Sequence, residues 1–408
     1  MERVLVVAAC RTPIAKIPGP FTKYDEVSLL AKCFQEVVKR AGIDPRLIDN
    51  SYTGCTFQTE KINIGRRAVI KAGLPGTIPG TTITRSCISS MEAMVQAYHD
   101  ILAGNSDTVL AGGVEISSNA PFLMDFFRKV ARIPAMCEPV KENGGFSAQQ
   151  VQHYQDVPDY DTVIPEIEEN ETQLIAESFA KKFNVSRQEV DEFAYNSVKK
   201  AYEAEKKGCF KKEIVPISVI RDGKESFVTQ DQFINPKLTL EDFRKQESFY
   251  VKNGVMTKLS SAPLGDGACA MLLMSESKAK ELGVKPLAVL CADAVVGMDS
   301  NRKGQSISSS IEKLLYRKRL KPEDIDLWEI NETFAPQMVH LKKYFRVPEE
   351  KFNVNGGSIA LGLPVGASGL RICITLIYEM IERQAENGIA AGCAGSGMGQ
   401  CIWFSRKF

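Results

Sequence analysis

Two cysteines stand where their neighbours could make a thiol do chemistry. Cys87 lies in Thr84-Arg-Ser-Cys-Ile-Ser-Ser, where an apolar pattern with helical spacing begins at Ile88, Met91, Met94 and Val95. A thiol at a helix N-terminus feels the positive end of the macrodipole, which favours the nucleophilic thiolate. The competing reading is a buried structural cysteine. Cys393 lies in Ala390-Ala-Gly-Cys-Ala-Gly-Ser-Gly-Met-Gly. Small residues there would let backbone N–H groups approach a ligand and act as oxyanion donors, or would simply form a tight turn. The glycine spacing is not G-x-G-x-x-G and no phosphate-loop lysine follows, so nucleotide binding is weakly supported. Asn331 and Glu332 end an apolar strand, Ile325 to Ile330. An Asn amide at a strand end can hold a water or a carbonyl oxygen, although such residues more often serve turns. From Asn353 to Arg371 the chain is dense in glycine, as expected of a ligand-facing loop that enters a buried helix.

The elements that must position these residues are repeated. Pro45 to Phe57, PRLIDNSYTGCTF, aligns without gaps to Pro322 to Phe334, PEDIDLWEINETF, matching at Pro, Ile, Asp, Thr and Phe. Each copy follows a helix-like stretch, Val27 to Ala41 and Ile307 to Leu320, and before that a strand, VLVVAA near the start and PLAVLCADAVV from Pro286. The stretch holding Cys87 likewise faces GLPVGASGLRICITLIYEMIERQAENGIAAGCAG: in both, a long apolar helix leads to a small-residue strand and a glycine turn. Strands alternating with helices of this length predict an α/β protein layered around sheets.

The expected organisation is an N-terminal half at 1–120, completed by about 249–278, and a C-terminal half at 279–408. The segment 121–248 differs in character. It holds Gly144-Gly145, an acidic stretch from Glu166 to Glu171, a capping-box pattern Ser186-Arg-Gln-Glu189, and a hairpin turn at Asp222-Gly223. An insertion of this length reads as a lid or an oligomerisation arm.

Composition narrows the function class. With 408 residues and 44% hydrophobic content the chain can build sizeable cores. Its formal charge of +1, from 51 basic and 50 acidic side chains, gives no field to attract nucleic acid or an anionic membrane. Eleven scattered cysteines form no C-x-x-C pair and no Cys/His cluster, which predicts a reducing compartment and no metal site. The segment Val4 to Ala9 is too short for a signal peptide and no apolar run is long enough for a bilayer span, so a cytoplasmic location is expected.

Taken together, five ordered motifs resemble the thiolase family over essentially the whole chain: RTP at Arg11 to Pro13, SCISS at Cys87, NETFA at Asn331, NGGSIALG-x-P at Asn355 and CAGSGMG at Cys393. SCISSMEAM, with LSSAPLGDGACAMLLMSES from Leu259, looks closest to the acyl-CoA thiolases of the β-oxidation multienzyme type. The resemblance implies a pair of βαβαβαββ halves in a five-layer α-β-α-β-α arrangement, with the insertion as a loop domain over coenzyme A. It implies an acyltransferase that takes acyl-CoA substrates without a further cofactor, as a homodimer or homotetramer. Cys87 would accept the acyl group, Cys393 would move a proton at the substrate α-carbon, and Asn331 would position an oxyanion-binding water. The N–H groups of Cys87 and Gly395 would form a second oxyanion hole.

The chain departs from the family in two places. The family's loop reads G-H-P, and its histidine activates the thiol; here it is Gly362-Leu363-Pro364. The three histidines, His99, His153 and His340, fall outside the motifs. The family's Met-Gly entry to the helix before the capping box is replaced by Asn170-Glu-Thr-Gln-Leu. Two alternatives therefore stand beside the leading reading: a condensing enzyme whose acceptor comes on a carrier or partner protein, and a non-catalytic subunit beside an active partner.

Overall fold

Strand β1 (Val4–Arg11) shows how the layers arise. Leu5 and Val7 point into one interior and Val4 and Val6 into another, so the strand is buried on both faces and reads as a continuous apolar run. A computed structural model gives the structure, which describes residues 2–57, 62–120, 171–221, 223–249 and 251–408. Residues 1–120 and 172–408 form one compact unit.

The first half continues with α1 (Glu26–Ala41), β2 (Asn50–Gly54), α2 (Ile64–Lys71), β3 (Thr81–Ile83), α3 (Ser89–Leu102) and β4 (Thr108–Ile116). Next come α4 (Glu171–Lys182), α5 (Arg187–Lys207), the hairpin β5 (Ile217–Arg221) and β6 (Lys224–Val228), α6 (Leu240–Arg244), β7 (Asp266–Ser275) and α7 (Glu276–Leu282). The second half holds β8 (Ala288–Gly297), α8 (Ser306–Lys318), β9 (Leu327–Ile330), α9 (Ala335–Tyr344), α10 (Ser358–Leu361), α11 (Ser368–Glu382), β10 (Asn387–Ala394) and β11 (Met398–Ser405).

The strand order is β3-β2-β4-β7-β1 followed by β8-β11-β10-β9, so the second half mirrors the first. The halves meet where β1 and β8 pair antiparallel over Val4 to Val6, making one nine-stranded sheet. The last strand of the second half is reduced to a single bridge, Phe352 against Trp328.

Three cores give the five layers. Helix α1 packs with α2 on one face of the first half-sheet, α3 and α11 fill the middle between both half-sheets, and α8 covers the outer face of the second. Alternation along β7 divides its side chains accordingly, Ala268, Ala270, Leu272 and Met274 outward and Cys269, Met271 and Leu273 inward.

The repeat holds in atomic detail. Pro45–Leu47 and Pro322–Asp324 are matching 3₁₀ turns, and Ile48 and Ile325 are both buried. Asp49 Oδ2 accepts the N–H groups of Asp107 and Thr108 at 2.8 and 2.9 Å; Asp326 Oδ2 accepts those of Glu386 and Asn387 at 3.0 and 2.9 Å. The repeated Asp thus fixes where β4 and β10 begin.

The capping box forms at Ser186 and Glu189 and opens α5. The hairpin also forms, Arg221 pairing with Lys224 across the turn. Gly144-Gly145, His153, Asn170 and the acidic residues 166–170 lie outside the described residues.

Candidate active site

Cys87 is delivered by a turn rather than by the helix itself. Helix α3 begins at Ser89 with Ile88 as its cap residue. Ahead of it Ser86 takes φ 46°, a left-handed conformation uncommon for a residue with a side chain. The Ser89 hydroxyl holds this turn, donating to the Ser86 carbonyl at 2.6 Å and accepting from the Arg85 N–H at 2.7 Å. The first turn of α3 sits close against β2 and β4 because Gly54 and Gly113 lack side chains. A Cβ on either would lie 2.1 Å from Ser90 N or 2.4 Å from Ser90 Cβ. From the central layer, Ser368 Oγ donates to the Cys87 carbonyl at 2.7 Å.

Cys393 is the penultimate residue of β10, on the other half of the molecule. The two halves converge here: a Cβ built on Gly392 would lie 3.2 Å from Ile88 Cγ2 and 3.4 Å from Asn331 Cβ, and one on Gly395 would lie 3.7 Å from Ser86 Oγ. Cys87, Cys393, Asn331 and Gly395 are therefore brought together. Both residues are half-buried.

Burial pushes the Cys87 thiol up to about 12, and the neighbouring Cys393 opposes its ionisation further. Burial also raises Cys393, with Thr333 beside it working the other way. The expectation that the helix terminus favours a Cys87 thiolate is thus corrected: Cys87 precedes the cap residue, and burial raises its pKa.

Asn331 is oriented by a chain of hydrogen bonds. Its Oδ1 accepts from Ser358 Oγ at 2.6 Å, and Arg371 Nη2 donates to the same Ser358 oxygen at 2.8 Å. Arg371 is in turn paired with the buried Glu329 at 3.2 Å. With Oδ1 engaged, Asn331 presents its Nδ2 donors; one reaches Thr333 Oγ1 at 3.4 Å. Glu332, adjacent in sequence, turns away and is fully buried. It accepts from Ser197 Oγ at 2.6 Å and Asn353 Nδ2 at 2.8 Å, which locks α5 to the glycine loop. Asn355 bonds Glu379 at 2.7 Å and lines a separate cavity of about 750 Å³ between α5 and α11, which contains none of the site cysteines.

Leu363 is buried, its N–H donating to Pro263 O at 2.8 Å and its carbonyl accepting from Gly265 N–H at 3.1 Å. The described histidines supply no substitute. His99 pairs with Asp293 at 3.0 Å on the surface, and His340 packs among Phe179, Phe183 and Tyr344.

Glu115, which sequence reasoning passed over, anchors the site from beneath. It is buried on β4 and accepts the N–H groups of Thr56 and Phe57, both at 3.0 Å, and of Gly366 at 2.8 Å. Thr56 Oγ1 in turn donates to the Ser86 carbonyl at 3.1 Å. One carboxylate thus ties the turn before Cys87 to the loop after Leu363. Thr333 was passed over as well; it lies between Asn331 and Cys393. Its sequence signals were its place in NETFA and its identity with Thr56 in the repeat.

The thiolase N-terminal domain model matches residues 4–277, and the thiolase C-terminal domain model matches 284–406. The chain belongs to the thiolase family. A protein of Staphylococcus aureus (strain COL) named "Probable acetyl-CoA acyltransferase" is 35% identical over 399 residues, covering 97% of each chain. Among solved structures, the Bacillus anthracis acetyl-CoA acetyltransferase superposes with TM-score 0.87 at 34% identity, covering 99% of each chain. Human mitochondrial 3-ketoacyl-CoA thiolase gives TM-score 0.87 at 28% identity, also over 99% of each. This thiolase is accordingly an acyl-transferring enzyme. Among its described residues no group of His, Cys, Asp and Glu is placed to hold a metal ion, and no helix is long and apolar enough to cross a membrane.

Proposed function

We propose that this thiolase loads an acyl group from a coenzyme A thioester onto Cys87 and passes it to coenzyme A or to a carbon nucleophile. In the cleavage direction Cys87 gives its proton to solvent and attacks the 3-keto carbonyl of a 3-ketoacyl thioester as the thiolate, the bond to the α-carbon breaks, and the carbanion so released takes its proton from Cys393. Coenzyme A thiol then attacks the acyl-Cys87 thioester, giving its proton to the Cys393 thiolate, and the Cys87 thiolate freed at the end of the cycle takes a proton back from solvent. Asn331 Nδ2 holds the water that binds one oxyanion, and the N–H groups of Cys87 and Gly395 hold the other, fixed donors being worth most where charge develops. Coenzyme A is substrate here, and the scheme requires no metal or organic cofactor.

The observation that carries this reading is the convergence of two cysteines from opposite halves on one amide whose Oδ1 is already engaged. Leu363 shapes the rate. Among the described residues no imidazole stands beside Cys87, whose pKa burial pushes up to about 12, so acylation runs slowly, by the factor of about 10² to 10⁴ that a general base contributes.

Intact-protein mass spectrometry after incubation with a panel of acyl-CoA thioesters tests this, comparing the chain with Cys87→Ala and Leu363→His. A Cys87-dependent adduct, forming about 10² to 10⁴ times faster in Leu363→His, is expected. No adduct from any thioester until histidine is restored would overturn the reading and leave a partner subunit with a thiolase fold.

A further inference from the structure

Thr333 follows the Asn331-Glu332 pair and precedes α9, yet its hydroxyl does not serve that helix. The cap residue is Phe334, and no side chain caps the N-terminus. The Thr333 backbone is occupied on its own account, its N–H donating to Asn331 O at 3.0 Å and its carbonyl accepting from Ala262 N–H at 3.4 Å. Oγ1 instead stands between two groups of the site: Asn331 Nδ2 donates to it at 3.4 Å, and Cys393 Sγ donates to it at 3.8 Å.

A hydroxyl has one hydrogen to give and two lone pairs to accept with. When Cys393 is a thiol, both lone pairs are used, by the amide and by S–H. When Cys393 loses its proton, the amide still occupies one lone pair and the hydroxyl hydrogen rotates onto the sulfur. Asn331 Oδ1 does not compete for that hydrogen, because the amide turns its Nδ2 towards Thr333 and its Oδ1 towards Ser358.

The repeat sharpens the contrast. The equivalent threonine, Thr56, spends its hydrogen on the Ser86 carbonyl at 3.1 Å, a structural bond within the Cys87 turn. Thr333 keeps its hydrogen for a group that changes charge.

We propose that Thr333 is a positioning residue for Cys393, its hydroxyl accepting from the thiol and donating to the thiolate, so that the proton can be given and retaken without rearrangement of the site. The inference rests on the acid/base role given to Cys393 above. Hydrogen bonding to the charged form lowers the pKa of an acid, and Thr333 acts in that direction on Cys393.

The experiment reads Cys393 without turnover. In a Cys87→Ala background, the rate of iodoacetamide labelling at Cys393, located by peptide mass spectrometry, is followed against pH for Thr333, Thr333→Ser and Thr333→Val. Valine keeps the shape and loses the hydroxyl, and is expected to move the labelling midpoint up by about one pH unit; serine is expected to hold it within a few tenths. An unchanged midpoint in Thr333→Val overturns the inference, as does a Cys393 that labels in none of the three at any pH. Should the valine variant fail to fold, Thr333→Ala carries the same expectation. The function reading is tested apart from this by α-carbon deuterium exchange in acyl-CoA: exchange that survives Cys393→Ala would remove the acid/base role while leaving the labelling result intact.

Discussion

At the residue scale, the site turns on which atoms are already engaged. Ser358 Oγ gives its hydrogen to Asn331 Oδ1 while taking one from Arg371, and that arrangement, with Thr333 Oγ1 accepting from Nδ2, decides which end of the amide faces the cysteines. Ser358→Ala removes the lock and lets the amide turn over, so half of the molecules or more would present a carbonyl where a donor is needed. The expected result is a kcat for thiolysis lowered about twofold or more with KM little changed. The full loss of an oxyanion donor, about 10² to 10³, is expected only for Asn331→Ala. Steady-state kinetics on both variants checks this, and a Ser358→Ala enzyme with unchanged kcat would mean that the amide is held by something else. Cys87, Cys393 and Asn331 were legible in the sequence because each sits in a short motif of unusual composition. Ser358, Thr333 and Glu115 were not, for a physical reason. Their partners lie in other motifs or the other half, and a hydroxyl or carboxylate carries no local mark of the bond it will make. The Cys87 thiolate was misread for a related reason: a dipole can be inferred from a helix pattern, but desolvation depends on what the rest of the chain places over the thiol.

At the scale of elements, the repeat was the most legible feature, and the alignment of Pro45 to Phe57 with Pro322 to Phe334 predicted matching turns and strands that the structure contains. The joining of β1 to β8 into one sheet was not legible, since pairing between halves leaves no periodicity in either. Nor was the bond pattern by which one side chain ties two site loops together. Glu115 satisfies three backbone N–H groups, two in the turn after β2 and one at Gly366. Burial alone raises its pKa, and those donors work to keep it charged. Glu115→Ala leaves the three N–H groups without their acceptor, that of Gly366 buried and those of Thr56 and Phe57 partly open to solvent. A loss of about 2–4 kcal/mol in unfolding free energy is expected, since each orphaned group costs about 1–3 kcal/mol before the loops relax. Urea titration measures that loss. A second readout separates anchoring from bulk stability: in the folded variant, below its unfolding transition, Cys87 should acylate more slowly than in the parent chain. A variant that is less stable but acylates at the parental rate would show that the carboxylate holds the fold and not the site.

On the scale of the whole molecule, the RTP motif has its meaning in a buried ion network rather than in the chemistry. Arg11, at the end of β1, pairs with Asp231 at 2.7 Å and Glu213 at 2.8 Å, all three buried. Glu213 also accepts from Thr375 of α11 at 3.3 Å, so the network joins the first half-sheet, the chain around the β5–β6 hairpin and the central layer. Burial works against the charge of the guanidinium, but the two carboxylates beside it hold its pKa above the ordinary range. For Glu213 burial is the larger influence and its pKa is raised in spite of Arg11. Arg11→Ala leaves two carboxylates facing each other in the interior, and breaking such a pair costs about 3–5 kcal/mol. The pH dependence identifies the cause. A buried carboxylate without its cation has a folded-state pKa well above its unfolded value, so the folded form holds protons that the unfolded form has already lost. Stability then falls as pH rises across that window and recovers as pH is lowered through it. The deficit of Arg11→Ala relative to the parent, measured by urea unfolding, is therefore expected to be full at pH 8 and to shrink towards pH 5, as a proton discharges Glu213. A deficit equal at both pH values would assign the loss to packing around the vanished side chain, and would remove the ion network as the reason for an arginine at position 11.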